Sequence, residues 1–341
     1  MSRLESEIKK AGNRFKGYYA FYHQKTKLKN KPRIINIELT NSCNSNCIYC
    51  PRDKMKRKKG LMKKETLSLI LVKYSHLMES VCISHHGESL LHPQIAEFIK
   101  MFKDKGVYVT LTTNATILNR NLSEKIILAE LDSIVFSIEG IDKKLYEKIR
   151  RGSDFEKTKK NVMDFLSLKN KLKSNISVEI RGTDMDLTRP ELSKFKKYWG
   201  SLPGVNRVHI DSFNSWAGQV DRKAFVKSDY NRGIVGEGET CIQPWFSLII
   251  LWDGSVVPCN NYEGAPFGNI LNQDLLKIWN NEKYQNLRYN LSKGNKKTLD
   301  YCGTCDHKLE GLPLNGKRDK YFPFSLNTLD IIAKYLFKKI K

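Results

Sequence analysis

The chain has 341 residues, 40% of them hydrophobic, and a net charge of +23, enough for one large domain or one large and one small. No stretch reaches the roughly 20 apolar residues of a membrane span, and the N-terminus, with Lys9, Lys10, Arg14 and Lys16 among polar residues, lacks the apolar run of a secretory signal, so a cytoplasmic protein is expected. The excess charge is mostly lysine dispersed along every segment, which describes a solvated surface and argues against a nucleic-acid partner.

In chain order, residues 1–31 read as a basic helical extension. From Pro32 a rhythm begins: a strand at Ile34–Thr40, a helix at Glu65–Leu77, a strand at Val81–His86, and a helix at Gln94–Lys105 that Gly106 stops. Strands at Val107–Thr113 and Ser133–Glu139 flank a helix at Leu122–Leu131. Helices at Lys143–Arg150 and Phe155–Leu172, a strand at Ile176–Gly182, a helix at Glu191–Trp199 and a strand at Val205–Ser212 complete it. This alternation predicts an α/β fold, a partial (β/α)6 parallel barrel over 32–213. Chemistry in such barrels gathers at the C-terminal ends of the strands. There the sequence places a cysteine cluster after the first strand, Gly87 and Glu88 after the second, Asn114 after the third, and Ser137 and Glu139 at the fourth.

Residues 214–240 read as a bridge, and 241–310 as a short, turn-rich unit that needs a staple because its core is small. The tail, 311–341, carries an amphipathic helix at Leu326–Lys341 with Leu329, Ile332, Leu336 and Ile340 on one face. Packing of that face onto the body is favoured over membrane contact.

Seven of the eight cysteines fall into two groups, and grouped thiols in a reduced compartment point to metal. Cys43, Cys47 and Cys50, spaced C-x3-C-x2-C, can hold three irons of a [4Fe–4S] cluster and leave the fourth open to chelate a small molecule. Structural zinc would need a fourth ligand, for which His76, His85 and His86 are the near candidates. Cys241, Cys259, Cys302 and Cys305 supply four thiolates, a closed set for a second cluster or for zinc. Cys82, mid-strand, reads as a small core residue, with hydrogen-atom donation as the alternative if it faces the barrel interior.

At these residues the sequence resembles the radical S-adenosylmethionine (SAM) superfamily, whose signature is this three-cysteine loop after the first barrel strand. "HGES" at His86–Ser89 resembles the family's GGEP, "TTNAT" from Thr112 its third-strand segment, and "SIEG" at Ser137–Gly140 its ribose-side segment. The resemblance implies a [4Fe–4S] cluster on Cys43, Cys47 and Cys50, with SAM contacted by Tyr49, Gly87, Glu88, Asn114, Ser137 and Glu139, and its carboxylate paired by Arg150 or Arg151. His86, Ser89 and Glu139 depart from the family pattern. The text around Cys241–Cys305 resembles a SPASM or twitch domain, which implies an auxiliary [4Fe–4S] cluster rather than zinc. The implied chemistry is reductive cleavage of SAM to a 5′-deoxyadenosyl radical that abstracts a substrate hydrogen, supported by a low-potential donor such as ferredoxin or flavodoxin. "CPRDKMKRKKGLM", with Arg52 and Arg57, resembles family members acting on sugars and aminocyclitols. A basic surface loop is the other reading of that lysine-rich run. A sugar or polyol dehydrogenase or epimerase is therefore expected, with radical modification of a ribosomal peptide as the alternative. An iron–sulfur electron carrier or a zinc nucleic-acid binder would leave the β/α units unexplained.

Overall fold

The structure, a computed structural model, describes residues 3–227 and 240–306. The helix expected at Leu326–Lys341 lies outside the described residues, as does part of the 214–240 bridge. In chain order the elements are α1 (Arg3–Tyr22), β1 (Ile34–Ile37), β2 (Asn46–Cys47), α2 (Lys64–Tyr74), β3 (Ser80–Ile83), α3 (Ile95–Lys103) and β4 (Tyr108–Thr113). Then come α4 (Arg120–Leu128), β5 (Ser133–Ser137), α5 (Lys143–Ile149), β6 (Arg150–Arg151), α6 (Phe155–Lys171), β7 (Ser177–Asp184), α7 (Leu192–Gly200) and β8 (Arg207–Ser212). The chain continues with α8 (Gln243–Phe246), β9 (Ser247–Ile250), β10 (Ser255–Val257), β11 (Gly268–Asn269), α9 (Leu275–Trp279) and α10 (Glu282–Ser292). Every expected strand–helix unit is present, with ends moved by a few residues. The second strand stops at Ile83 rather than His86 because, past Ser84, the two histidines turn onto side-chain partners instead of the ladder.

One nine-stranded sheet runs in the order β11-β10-β9-β1-β3-β4-β5-β7-β8. All neighbours from β9 to β8 are parallel, and β10 and β11 are antiparallel additions. Among the described residues no strand joins β8 to β11, so the barrel is open.

Alternation along the strands sorts the two faces. Ile35, Ile37, Val81, Ile83, Val109, Leu111, Ile134, Phe136, Val178 and Ile180 are wholly buried in the main core. Each contributes roughly 1.5–3 kcal/mol by leaving water. The other face is polar: Asn36, Cys82 and Thr110 lie in one register row, and Ser137, Arg181 and His209 in another. A parallel sheet covered on both sides is ordinarily apolar throughout. A polar inner face marks a lumen that its own side chains do not fill.

The cysteine-rich C-terminal unit is more than a stapled appendage. Its strand β9 pairs in parallel with β1, from Ile34↔Ser247 to Ile37↔Ile250, and extends the barrel sheet. All four β9 residues are buried, and a short run buried on both faces carries no period by which a strand is recognised. The N-terminal extension is likewise integral. Tyr18 and Phe21 of α1 pack on Phe246 and Trp245 with ring centroids 4.7 and 5.4 Å apart. Arg288, fully buried, donates to the carbonyls of Thr26, Pro244 and Trp279, which ties residues 24–31 to α8 and α10.

Candidate active site

The three-cysteine loop hangs from the end of β1, and its shape is fixed by neighbours. Arg52 donates to the carbonyls of Cys43 (2.9 Å) and Ser45. Asn114, at the end of β4, reaches Asn44 Oδ1 and Ser45 Oγ at 3.1 Å each and lies 3.9 Å from Cys43 Sγ. The β2–β6 bridge pairs Asn46 with Arg151 and Cys47 with Arg150, and Ser45 Oγ meets Ser153 Oγ at 2.7 Å.

Gly87 and Glu88 support the loop from β3. A Cβ on Gly87 would lie 2.1 Å from the Thr40 carbonyl oxygen and 2.8 Å from that of Ser42, both backbone, so only glycine fits. The Glu88 backbone N–H donates to Ser42 O at 2.9 Å. Its buried carboxylate accepts from Leu90 N (3.0 Å), Thr113 Oγ1 (2.7 Å) and Asn114 N (2.7 Å). Burial pushes its pKa up, against these three donors. Glu88 thus locks β3, β4 and the loop together.

Tyr49, Glu139 and Arg150 form one buried group. Tyr49 Oη donates to Glu139 Oε1 at 2.6 Å. Arg150 holds both Glu139 oxygens, Nη2 to Oε1 at 2.9 Å and Nε to Oε2, and its Nη1 lies 3.8 Å from Cys47 Sγ. Arg150 is therefore committed to Glu139, whereas Arg151 is exposed beside a cleft of about 260 Å³ that also touches Cys47 and Cys50. Cys82 sits on the inner face, 3.2 Å from Ser84 Oγ, with its thiol pKa raised by burial.

A cavity of about 840 Å³ begins at Tyr49, Ser137 and Glu139 and ends at Cys241, Cys259, Cys302 and Cys305. Its walls carry Arg181, His209, Asp211, Asn214 and Asn261. The four thiols interact mutually, and burial above all, then neighbouring thiols, pushes Cys241 up to about 12 and Cys302 up to about 11. Thiols hold a metal or cluster as thiolates, so binding at this set would release their protons. Asn261 Nδ2 approaches Cys305 Sγ at 3.7 Å. Asp306 accepts from Ser215 Oγ (2.7 Å) and Arg222 Nη1 (2.8 Å), stitching the bridging segment to the last cysteines. Three thiols on the first loop suit a cluster with one open iron, and four here suit a closed one.

Several residues of the site are not singled out in the sequence. Glu38, fully buried, receives Arg57 Nη1 and Nη2 at 2.9 and 3.0 Å and faces His85 Nδ1 at 2.7 Å. Arg57 also donates Nε to Glu263 Oε2 at 3.1 Å, and His86 Nε2 lies 2.8 Å from Glu263 Oε1. Burial alone would raise both carboxyls, but His85 and Arg57 at Glu38, and His86 and Arg57 at Glu263, hold each at about 2. Of the basic run after the cysteines, Lys54, Lys56, Lys58 and Lys59 are exposed while Arg52 and Arg57 are built into the site. The sequence signals for this network are the adjacent histidines where β3 ends and Arg57 in the stretch after the cysteines, whereas Glu38 and Glu263 carry none. His209 on β8, with Nε2 2.9 Å from Asp211 Oδ1, adds an imidazole–carboxylate pair to the cavity wall.

Comparison with known proteins agrees with this arrangement. A model described as "Radical SAM superfamily" matches residues 37–189, and one described as "Iron-sulfur cluster-binding domain" matches 241–306. The chain is 34% identical over 123 residues to the uncharacterized protein MJ0804 of Methanocaldococcus jannaschii, a match that spans 35% of this chain and 38% of that protein. It is 24% identical over 306 residues to the tungsten-containing aldehyde ferredoxin oxidoreductase cofactor-modifying protein of Pyrococcus furiosus, covering 75% of this chain and 83% of that one. Among solved structures, BtrN in complex with AdoMet and 2-DOIA superposes with a TM-score of 0.56 at 16% identity, over 88% of this chain and 100% of that one. SuiB of Streptococcus suis bound to precursor peptide SuiA gives 0.62 at 15% identity, over 85% and 73%. Both likenesses show the fold. The chain carries a radical SAM domain over residues 37–189 and a C-terminal SPASM iron–sulfur domain over 241–306, so that SAM, a [4Fe–4S] cluster and auxiliary iron–sulfur are its cofactors.

Proposed function

We propose that the chain dehydrogenates or epimerises a sugar or polyol, with the catalytic cluster on Cys43, Cys47 and Cys50 and an auxiliary cluster on Cys241, Cys259, Cys302 and Cys305. The observation that carries the reading is the cavity that runs from Tyr49, next in sequence to Cys50, to Cys241, Cys259, Cys302 and Cys305, with donors and acceptors along its walls. Its size is that of a small-molecule site, and the alternating polar groups of β7 and β8 suit a substrate carrying several hydroxyls. When bound, the catalytic cluster supplies the electron that splits SAM. The chain's own residues do the rest. Arg150 and Tyr49 fix Glu139 beside Ser137 at the nucleoside end. The polar walls orient the substrate so that one C–H bond faces that end. Asp211, whose Oδ1 lies 2.9 Å from His209 Nε2 while Arg207 holds His209 Nδ1 at 2.8 Å, would take the proton of a hydroxyl that becomes a carbonyl, and the electron left on the substrate would pass to the auxiliary cluster when bound. BtrN, solved with AdoMet and 2-DOIA, and SuiB, solved with precursor peptide SuiA, share the fold, so the small-molecule reading rests on the cavity and peptide modification is the alternative.

The test is 5′-deoxyadenosine release from SAM by anaerobically reconstituted protein under strong reductant, beside a variant with Cys43, Cys47 and Cys50 all changed to Ala. Release by the native protein alone, stimulated by a sugar or polyol whose deuterium appears in 5′-deoxyadenosine, is expected. Stimulation by peptides and by no sugar or polyol would replace this substrate class with the ribosomal-peptide one.

A further inference from the structure

We propose that His85, His86 and Glu263 form a site for a divalent transition-metal ion, separate from both cysteine groups, that ties the end of β3 to the loop after Cys259. A ligand atom from each of the three residues lies within 4.8 Å of the other two. Adjacent side chains of a strand point to opposite faces. Here the chain leaves the ladder after Ser84, and the two imidazoles meet edge to face with centroids 4.2 Å apart. Both side chains are 1% exposed, yet His85 Nε2 and both ring nitrogens of His86 have no hydrogen-bond partner. Buried polar atoms in that state call for an explanation, and an ion shared with the neighbouring carboxylate provides it.

The geometry favours an ion over a direct bond. His86 Nε2 lies 2.8 Å from Glu263 Oε1, near enough for a hydrogen bond but off its line. Two ligand atoms at about 2.0–2.1 Å from one ion, at angles of about 90–110°, stand about 2.8–3.4 Å apart and aim at the ion rather than at each other. His85 also has the carboxylate support of a ligating imidazole. Its Nδ1 faces Glu38 Oε2 at 2.7 Å, which leaves Nε2 to the ion. The charges agree: Glu38 and Glu263 share one cation, Arg57, so with neutral imidazoles the group is net negative and a divalent ion offsets it. Two imidazoles, one carboxylate and an open position are a donor set that zinc and ferrous iron both accept. The histidines belong to the barrel and Glu263 to the SPASM domain. The ion therefore pins one to the other, beside Trp216, whose ring centroid is 5.3 Å from that of His86.

The site is independent of the substrate reading and of the cluster assignment. Zinc is the probe, because its X-ray absorption edge is distinct from that of cluster iron. Full-length protein reconstituted with both clusters is equilibrated with zinc under anaerobic conditions and freed of excess by gel filtration. Zinc, iron and sulfide are then measured together with the zinc-edge fine structure. About one zinc per chain is expected, in a shell of nitrogen and oxygen at about 2.0–2.1 Å, with iron and sulfide unchanged. His86→Gly, which restores the glycine of the resembled motif, and Glu263→Gln are each expected to hold at least tenfold less zinc while keeping their iron. Absence of zinc, a sulfur shell at about 2.3 Å marking zinc on cysteines, or undiminished zinc in both variants would overturn the proposal. If His86→Gly fails to hold its clusters, undiminished zinc in Glu263→Gln overturns it alone.

Discussion

Replacing Arg57 by methionine keeps the length of the side-chain stem and removes the charge that two buried carboxylates face. In the native chain the guanidinium makes bonds of 2.9 and 3.0 Å to Glu38 and 3.1 Å to Glu263. Without it Glu38, whose side chain has no exposed surface, keeps only His85 at 2.7 Å, and Glu263 keeps only His86. Breaking a buried pair from one side costs about 3–5 kcal/mol, a factor of roughly 140 to 3,700 in the folding equilibrium. The assay is urea denaturation of the reconstituted protein under anaerobic conditions at neutral pH, read as the shift of the midpoint at constant slope. The dependence on pH adds a sign. In the native chain Glu38 titrates at about 2, below its unfolded value of 4.5, so its stabilisation is complete above 4.5 and is lost as the pH falls towards 2. In the variant burial still raises the carboxyl and only His85 still lowers it, so the folded group titrates higher than in the native chain, and the penalty is complete at neutral pH and fades as the carboxyl protonates. The gap between the two proteins must therefore narrow on acidification. A loss below about 1 kcal/mol, the range of a solvated surface pair, or a gap that widens as the pH falls, refutes the reasoning.

Gly87→Ala sets a Cβ against two backbone carbonyls and is expected to cost about 1–3 kcal/mol as an overpacked site and to abolish SAM cleavage, measured by 5′-deoxyadenosine release. Glu88→Ala strands the donors of Leu90, Thr113 and Asn114. At about 1–3 kcal/mol for each orphaned buried group, a lowered urea midpoint together with poor retention of iron is expected. Cys259→Ala is expected to lose the iron and sulfide of one cluster while the SAM-perturbed EPR signal of the other persists. Asp211→Asn is expected to lower substrate turnover about 10²–10⁴-fold, the range of a lost acid–base group, with substrate-independent SAM cleavage unchanged.

The sequence by itself determined the order of the β/α units, because each strand carries a period of two and each helix a period near 3.6, and both signals are local. It also determined the two thiol groups, since a loop that presents three sulfurs to one cluster must draw them from one short stretch. Boundaries near the site were less legible. Ser84–His86 reads as strand by composition, yet His85 and His86 turn to acidic partners, and Gly87 just beyond them has to approach Thr40 and Ser42. Tertiary structure alone decided the rest. β9 joins β1 from 213 residues further along the chain, and no local pattern carries that register. Arg57 reads either as part of a stretch resembling sugar-acting family members or as one cation of a basic loop, and only the fold brings Glu38 and the distant Glu263 to it. Arg150 reads as a free partner for a SAM carboxylate until Glu139 and Cys47 take its donors. In each case the deciding quantity is the cost of burying a charge, and that cost depends on which distant group arrives beside it.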